Sequence, residues 1–213
     1  PSTTSGSSSC PPGVFGRLAA ERNWYEASLA TWLPAPFSPT FPGNFQQSGS
    51  QIRQTISCMN SEGYTDLGTP ILEATDYLEA NKRPGVKRGI IFMTDGAANR
   101  ANGNPNPCGY AAQRAASATA LGIEVLTIGY GVQGALCEVE SNGSKYDDDS
   151  VMFVLADMAS PIDGVAADTN GICDDAENTD GDNFFCEPRS GDLESVFVQA
   201  AAQLANRATR LVK

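Results

Sequence analysis

Apolar residues recur along this chain in two rhythms, and the change between them organises it. "RLAAERNWYEASLATWL" (residues 17–33) spaces its apolar positions three and four apart, which predicts a helix. "PAPFSPTFPG" follows, and four prolines in ten residues exclude regular structure. A second helix is expected from about Gly49 to Met59. Beyond it the pattern alternates. "TPILEATDYLEANKR" starts as a helix, with Thr69 as N-cap and Pro70 in the first turn. "VKRGIIFMTDG" is apolar on both faces, as a buried parallel strand should be. "GYAAQRAASATALG" reads as an Ala-rich helix closed by Gly122, and "IEVLTIGYG" as a second buried strand. A short helix at "SVMFVLADMAS", a short strand at "NFFCEP" and a long terminal helix from "SGDLESVF" onward complete the series. Strands alternating with helices predict an α/β fold in three layers, a mostly parallel sheet flanked by helices.

Composition narrows what such a fold does here. The net charge of −11 argues against nucleic acid and anionic membrane surfaces as partners. No apolar run approaches the roughly 20 residues that cross a bilayer. The chain has no histidine, which removes Ser-His-Asp and Cys-His catalysis and the usual catalytic zinc sites. No phosphate-cradling glycine pattern stands between a strand and a helix. A binding protein is therefore expected rather than an enzyme.

Six cysteines, none in a close Cys-x-x-Cys pair, suit disulfides and an exported protein. Cys173 and Cys186 bracket an acidic loop and form the expected pair. Cys10 with Cys58 and Cys108 with Cys137 then follow by elimination, one choice among fifteen connectivities. Asn142-Gly143-Ser144 fits a glycosylation acceptor. The acidic loop, residues 146–188, holds twelve Asp or Glu and no Lys or Arg. Such crowding needs either full solvation or bound cations. The EF-hand template fails, because Ala166 and Ala176 stand where its first Asp belongs. A loop-type calcium site drawn from Asp168, Asn170, Asp180 and Asp182 is the alternative to a solvated loop.

A second cation site is expected at the sheet. Ligands of open α/β sheets gather at the carboxyl ends of the strands. "GIIFM" ends there in "TDG", presenting Asp95, and "YTDLGTPI" brings Thr65 and Asp66 from a neighbouring loop. Hydroxyl and carboxylate oxygens are hard donors that suit magnesium, manganese or calcium.

"GYTDLGTPILEA", then "GIIFMTDGAAN", then "GIEVLTIGYG", resembles in order and spacing the second half of a von Willebrand factor type A domain. The terminal "RSGDLESVFVQAAAQLANRATRLV" is similar to the end of such domains in bacterial surface and tight-adherence pilus proteins. The resemblance covers roughly residues 50–213. It implies a metal-ion-dependent adhesion site, built in the family from Asp-x-Ser-x-Ser, a Thr and an Asp. Thr65 matches the family threonine and Asp95 the family aspartate, with Mg2+ or Ca2+ as the ion. The opening "TTSGSSS" looks like the missing third element but follows no apolar strand and reads as a plain loop. The first strands and the first metal loop are thus expected outside this chain, supplied by a second polypeptide or an N-terminal fragment. Residues 1–48 then form an insertion-like Ser/Pro-rich loop with an extra helix, and 49–213 a partial von Willebrand A-like domain. The implied function is extracellular, cation-dependent adhesion at a cell surface or pilus, with a protein or surface ligand offering a carboxylate. The alternative is a structural subunit of a surface filament, its sheet completed by a neighbouring chain and calcium serving as a structural ion.

Overall fold

The computed structural model describes residues 65–96, 98–99, 101, 104–137, 150–187 and 193–209. These lie within one compact unit, Tyr64–Lys213. The helices expected at 17–33 and 49–59, the opening serines, the Cys10–Cys58 pair and the Asn142 acceptor all fall outside the described residues.

Three strands form one parallel sheet in the order β1-β2-β3: β1 Arg88–Thr94, β2 Ile123–Tyr130 and β3 Phe184–Glu187. Arg88 pairs with Ile123 and Thr94 with Gly129, while Thr127 pairs with Phe184 and Tyr130 with Glu187. Four helices flank the sheet: α1 Gly68–Ala80, α2 Pro107–Ala120, α3 Val151–Met158 and α4 Leu193–Thr209. This is the α/β layered architecture that the alternation predicts.

The layers follow from which way successive side chains point. Ile90, Phe92, Ile123, Val125, Phe184 and Cys186 enter the larger core with α1, α2 and α3. Ile91, Leu126, Ile128 and Phe185 point the other way and pack on Leu193, Val196, Ala200 and Leu204 of α4. Those α4 positions step by three and four, so one stripe of the helix covers the second face. β1 is less enclosed than its apolar run implies: it is the outer strand of the described sheet, its residues are mostly half-buried, and Met93 is 49% exposed.

Helix ends show what sets the boundaries. Asn106 caps α2 by accepting the Gly109 amide at 2.9 Å, and Pro107 takes the first turn, so α2 begins two residues before its Ala-rich run. Gly122, at φ +73°, closes it as expected and turns the chain into β2. Ser150 caps α3 by accepting the Met152 amide at 3.2 Å. Thr69 does not cap α1. The helix starts at Gly68, two residues before that cap would set it, and Asp66 satisfies its first amides, accepting Gly68 N at 3.0 Å and Thr69 N at 2.9 Å. The carboxylate outcompetes a hydroxyl for the positive end of the helix.

Candidate metal-binding sites at the sheet edge and in the acidic loop

Parallel strands place all their carboxyl ends at one edge, and the chain leaves β1 there through Thr94, Asp95 and Gly96. Thr94 shapes this exit: its hydroxyl donates to the Gly96 carbonyl at 3.0 Å and accepts the Gly96 amide at 3.2 Å. Asp95 is exposed. The loop ahead of α1 is tied to the same edge through Asn99. The Thr65 amide donates to Asn99 Oδ1 at 2.7 Å, and the Asn99 amide donates to the Thr65 carbonyl at 2.9 Å. The two loops therefore close on one another. A carbon added at Gly96 would stand 3.6 Å from Thr65 Oγ1, so the hydroxyl lies against the turn that carries Asp95.

Asp66, the other oxygen donor of that loop, is fully engaged with α1. Besides the two amides on Oδ1, its Oδ2 accepts the Thr69 hydroxyl at 2.6 Å. That leaves the Thr65 hydroxyl and the Asp95 carboxylate as the donors with no hydrogen-bond partner among the described residues.

With this geometry in view, residues 37–167 match the von Willebrand factor type A domain. The chain belongs to that family. The match begins ahead of the residues that carry the resemblance and ends after α3, so it does not take in β3 or α4. A solved structure, the conserved hypothetical protein BatB from Bacteroides thetaiotaomicron, is similar over 74% of this chain and 71% of its own, at 20% identity and a TM-score of 0.38. No curated protein is a significant match. Von Willebrand A domains serve adhesion or ligand binding and commonly hold a divalent metal ion. The donors here fit such an ion in kind: one hydroxyl and one carboxylate, both hard oxygens, at the sheet edge and without a hydrogen-bond partner among the described residues.

The acidic loop is a second, separate concentration of oxygen. The stretch read as one loop over 146–188 contains α3 and β3, and the loop proper runs between them with both ends anchored. Ser160 donates its amide to the Val125 carbonyl and accepts the Val125 amide on its hydroxyl, both at 2.8 Å. Asn183 donates its side-chain amide to the Ser160 carbonyl at 2.8 Å, and its own carbonyl accepts the Thr127 amide at 2.9 Å. Between these anchors, carboxylate oxygens of Asp168, Asp180 and Asp182 lie within 4.8 Å of one another. Asn170 does not offer a free oxygen: its Oδ1 accepts the Ile172 amide at 2.7 Å and closes a turn. The expected Cys173–Cys186 disulfide is present and joins the loop to β3, and Cys108–Cys137 joins α2 to the segment after β2.

Burial pushes the Asp182 carboxyl up from its ordinary range, and the charges of Asp180 and Asp168 push the same way. The amides of Phe184 and Asp168, which donate to it, oppose that rise. Glu177 sits in a single 3-10 turn, Glu177–Thr179, and is 6% exposed. Burial raises its carboxyl too; the Thr169 hydroxyl opposes that most, the charges of Asp180 and Asp182 add to it, and the Asn170 backbone amide opposes it.

The sequence did not single out Asn99 or Glu177. Asn99 acts on a residue 34 positions away, so no local spacing marks it. Glu177 is one of twelve acids in its stretch, and nothing in the pattern says which of them turns inward.

Proposed function

We propose that this chain is an extracellular binding domain of a bacterial surface or pilus-associated protein, and that it engages its partner through a divalent cation rather than by catalysis. The observation that carries the reading is the closure of the Thr65 loop on the Asp95 turn by Asn99. It holds two hard oxygens, without a hydrogen-bond partner among the described residues, at the edge where open α/β sheets bind ligands. Two disulfides among the described residues support a location outside the cell.

In this reading Thr65 and Asp95 hold a magnesium or calcium ion, and the partner is a protein or surface ligand that offers a carboxylate. The ion, when bound, supplies an open coordination position that the partner's carboxylate fills. Asn99 fixes the backbone on which Thr65 rides, and Thr94 fixes the turn that presents Asp95. Asp66 instead holds the start of α1 through three hydrogen bonds, two on Oδ1 and one on Oδ2.

The test is thermal denaturation of the full chain with chelator, magnesium or manganese, for the wild type, Thr65→Ala and Asp95→Ala. An ion that binds the folded state raises the midpoint in proportion to its affinity. The reading expects a rise in the wild type that both substitutions abolish. A rise that both variants keep, or no rise at all, sinks it.

A further inference from the structure

We propose that Leu136, Phe153 and Ile172 form a protein-docking surface past the carboxyl end of β2, and that its partner is a protein segment presenting an apolar side chain flanked by Lys or Arg. The surface uses no residue of the Thr65–Asp95 edge and needs no metal ion.

The first observation is that exposed apolar side chains from three segments are brought together. Leu136 is 54% exposed, Phe153 47% and Ile172 52%. Apolar residues scattered singly over a surface are ordinary, whereas a contiguous group marks a contact. Leu136 and Ser150 form an antiparallel bridge, and beside it the Val151 amide donates to the Ala135 carbonyl at 2.9 Å. Ser150 caps α3, and helical side chains lean back toward the N-terminus of their helix. Phe153, in the first turn, thus leans toward the bridge that carries Leu136. A carbon added at Gly171 would stand 3.7 Å from Phe153 Cε2, so the ring lies against the residue before Ile172. The Cys173 amide then donates to Gln133 Oε1 at 3.3 Å, which returns the chain of contacts to the segment of Leu136.

The second observation is rigidity. Leu136 precedes Cys137, which is bridged to Cys108 of α2, and Ile172 precedes Cys173, which is bridged to Cys186 of β3. In α3 every residue is buried except Phe153 and Asp157. The helix is fixed by its core side, and Phe153 is the one apolar side chain it turns outward. A surface held in this way loses little conformational freedom when a partner covers it.

Charge selects the partner. Asp174 and Asp175 follow Cys173 and are exposed, and Asp157 is exposed one turn beyond Phe153. Residues 146–188 hold twelve Asp or Glu and no Lys or Arg. A second copy of this chain would bring the same acids to the contact, and the net charge of −11 opposes that approach. A partner with basic residues around an apolar anchor satisfies both features. The anchor covers the apolar centre, and the basic residues meet the acidic rim, which speeds encounter and rejects acidic competitors.

Panning a random phage-displayed peptide library over the full chain, in chelator and at low salt, tests this. Chelator keeps the Thr65–Asp95 edge out of the measurement, so a failure here leaves that reading standing. The selected peptides are expected to combine Leu, Phe or Trp with Lys or Arg. As synthetic peptides followed by fluorescence anisotropy, they should bind more weakly as salt rises. They should lose at least about tenfold in affinity against Phe153→Ser and against Ile172→Ser, the scale of a lost anchor. Ile172 lies in a loop, so its variant keeps the comparison valid if Phe153→Ser lowers the melting temperature. The double variant Asp174→Asn, Asp175→Asn should flatten the salt dependence. The proposal is overturned if no peptides are enriched, if the enriched ones are acidic or lack an apolar anchor, or if they bind both serine variants undiminished. Dimerisation of the wild type that Phe153→Ser abolishes would make a second copy the occupant and overturn it equally.

Discussion

Thr65 and Asn99 hold each other through two backbone-directed hydrogen bonds, at 2.7 and 2.9 Å, across 34 residues of chain. The pair joins the loop before α1 to the loop after β1, and so fixes the spacing of the two proposed ligand loops. Asn99→Ala removes the acceptor of the Thr65 amide and leaves that amide half-buried and unpaired. A net loss of about 1–2 kcal/mol is expected in denaturant unfolding. Magnesium stabilisation should fall further than this loss explains, because Thr65 is no longer held at the edge. Equal magnesium shifts in Asn99→Ala and the wild type would separate the clamp from the metal.

Gly68 opens α1 where that helix crosses α2. A β-carbon at this position would lie 2.2 Å from Tyr110 Cδ1 and 3.2 Å from the Ala111 amide nitrogen. The aromatic ring can swing only by leaving its own buried site, and the α2 backbone cannot yield cheaply. Gly68→Ala should therefore destabilise by about 1–3 kcal/mol through overpacking, although alanine is the better helix former. Circular dichroism against urea checks the sign. A stabilised variant would mean that α1 and α2 separate without cost.

The strands and helices of the described unit were legible because each side of the sheet leaves its own mark. β2 alternates Val125 and Leu126 into opposite cores, and the run is apolar throughout because both cores exist. Gly122 announced the end of α2 by type. Thr69 misled, because a threonine before proline is a good cap in isolation and the competing Asp66 is better placed by the turn. At the sheet edge, the placement of the Thr65 and Asp95 loops could be read from the strand and helix order, but the clamp between Thr65 and Asn99 could not, since Asn99 reaches Thr65 through folding alone. In the acidic loop the composition gave the charge. Which acids converge and which one is buried depends on anchors at Ser160, Asn183 and α4, far outside the local pattern.

The two disulfides should contribute separately. Cys173–Cys186 spans 13 residues and Cys108–Cys137 spans 29. Loop-closure entropy gives about 3 kcal/mol for the shorter and somewhat more for the longer. Paired serine replacements, Cys173→Ser with Cys186→Ser, should lower the melting temperature measurably. Replacing Cys108 and Cys137 should lower it at least as much, because that bridge closes the longer loop. Calorimetry of the two double variants checks the order; a clearly smaller loss for the Cys108–Cys137 pair would mean that loop-closure entropy does not set the difference.

Arg88, at the start of β1, donates to the Glu79 carboxylate near the end of α1 and to the Leu121 carbonyl beyond α2 at 2.7 Å. The Arg88 hydrogen bond is the largest cause holding the Glu79 carboxyl below its usual range, and Lys82 adds to it. A carboxyl lowered in the folded state stabilises the fold above its unfolded pKa, about 4.3, where it is charged in both states. That contribution is lost as pH falls through the folded value, which lies lower still. Glu79→Gln should thus melt below the wild type at neutral pH by a constant margin. The margin should shrink below about pH 4.3 and vanish once Glu79 is protonated, because the Leu121 carbonyl bond does not titrate. Salt should narrow it at neutral pH, since the pair is partly open to solvent. A margin that persists unchanged into acid would show that Glu79 acts by packing its stem rather than by its charge.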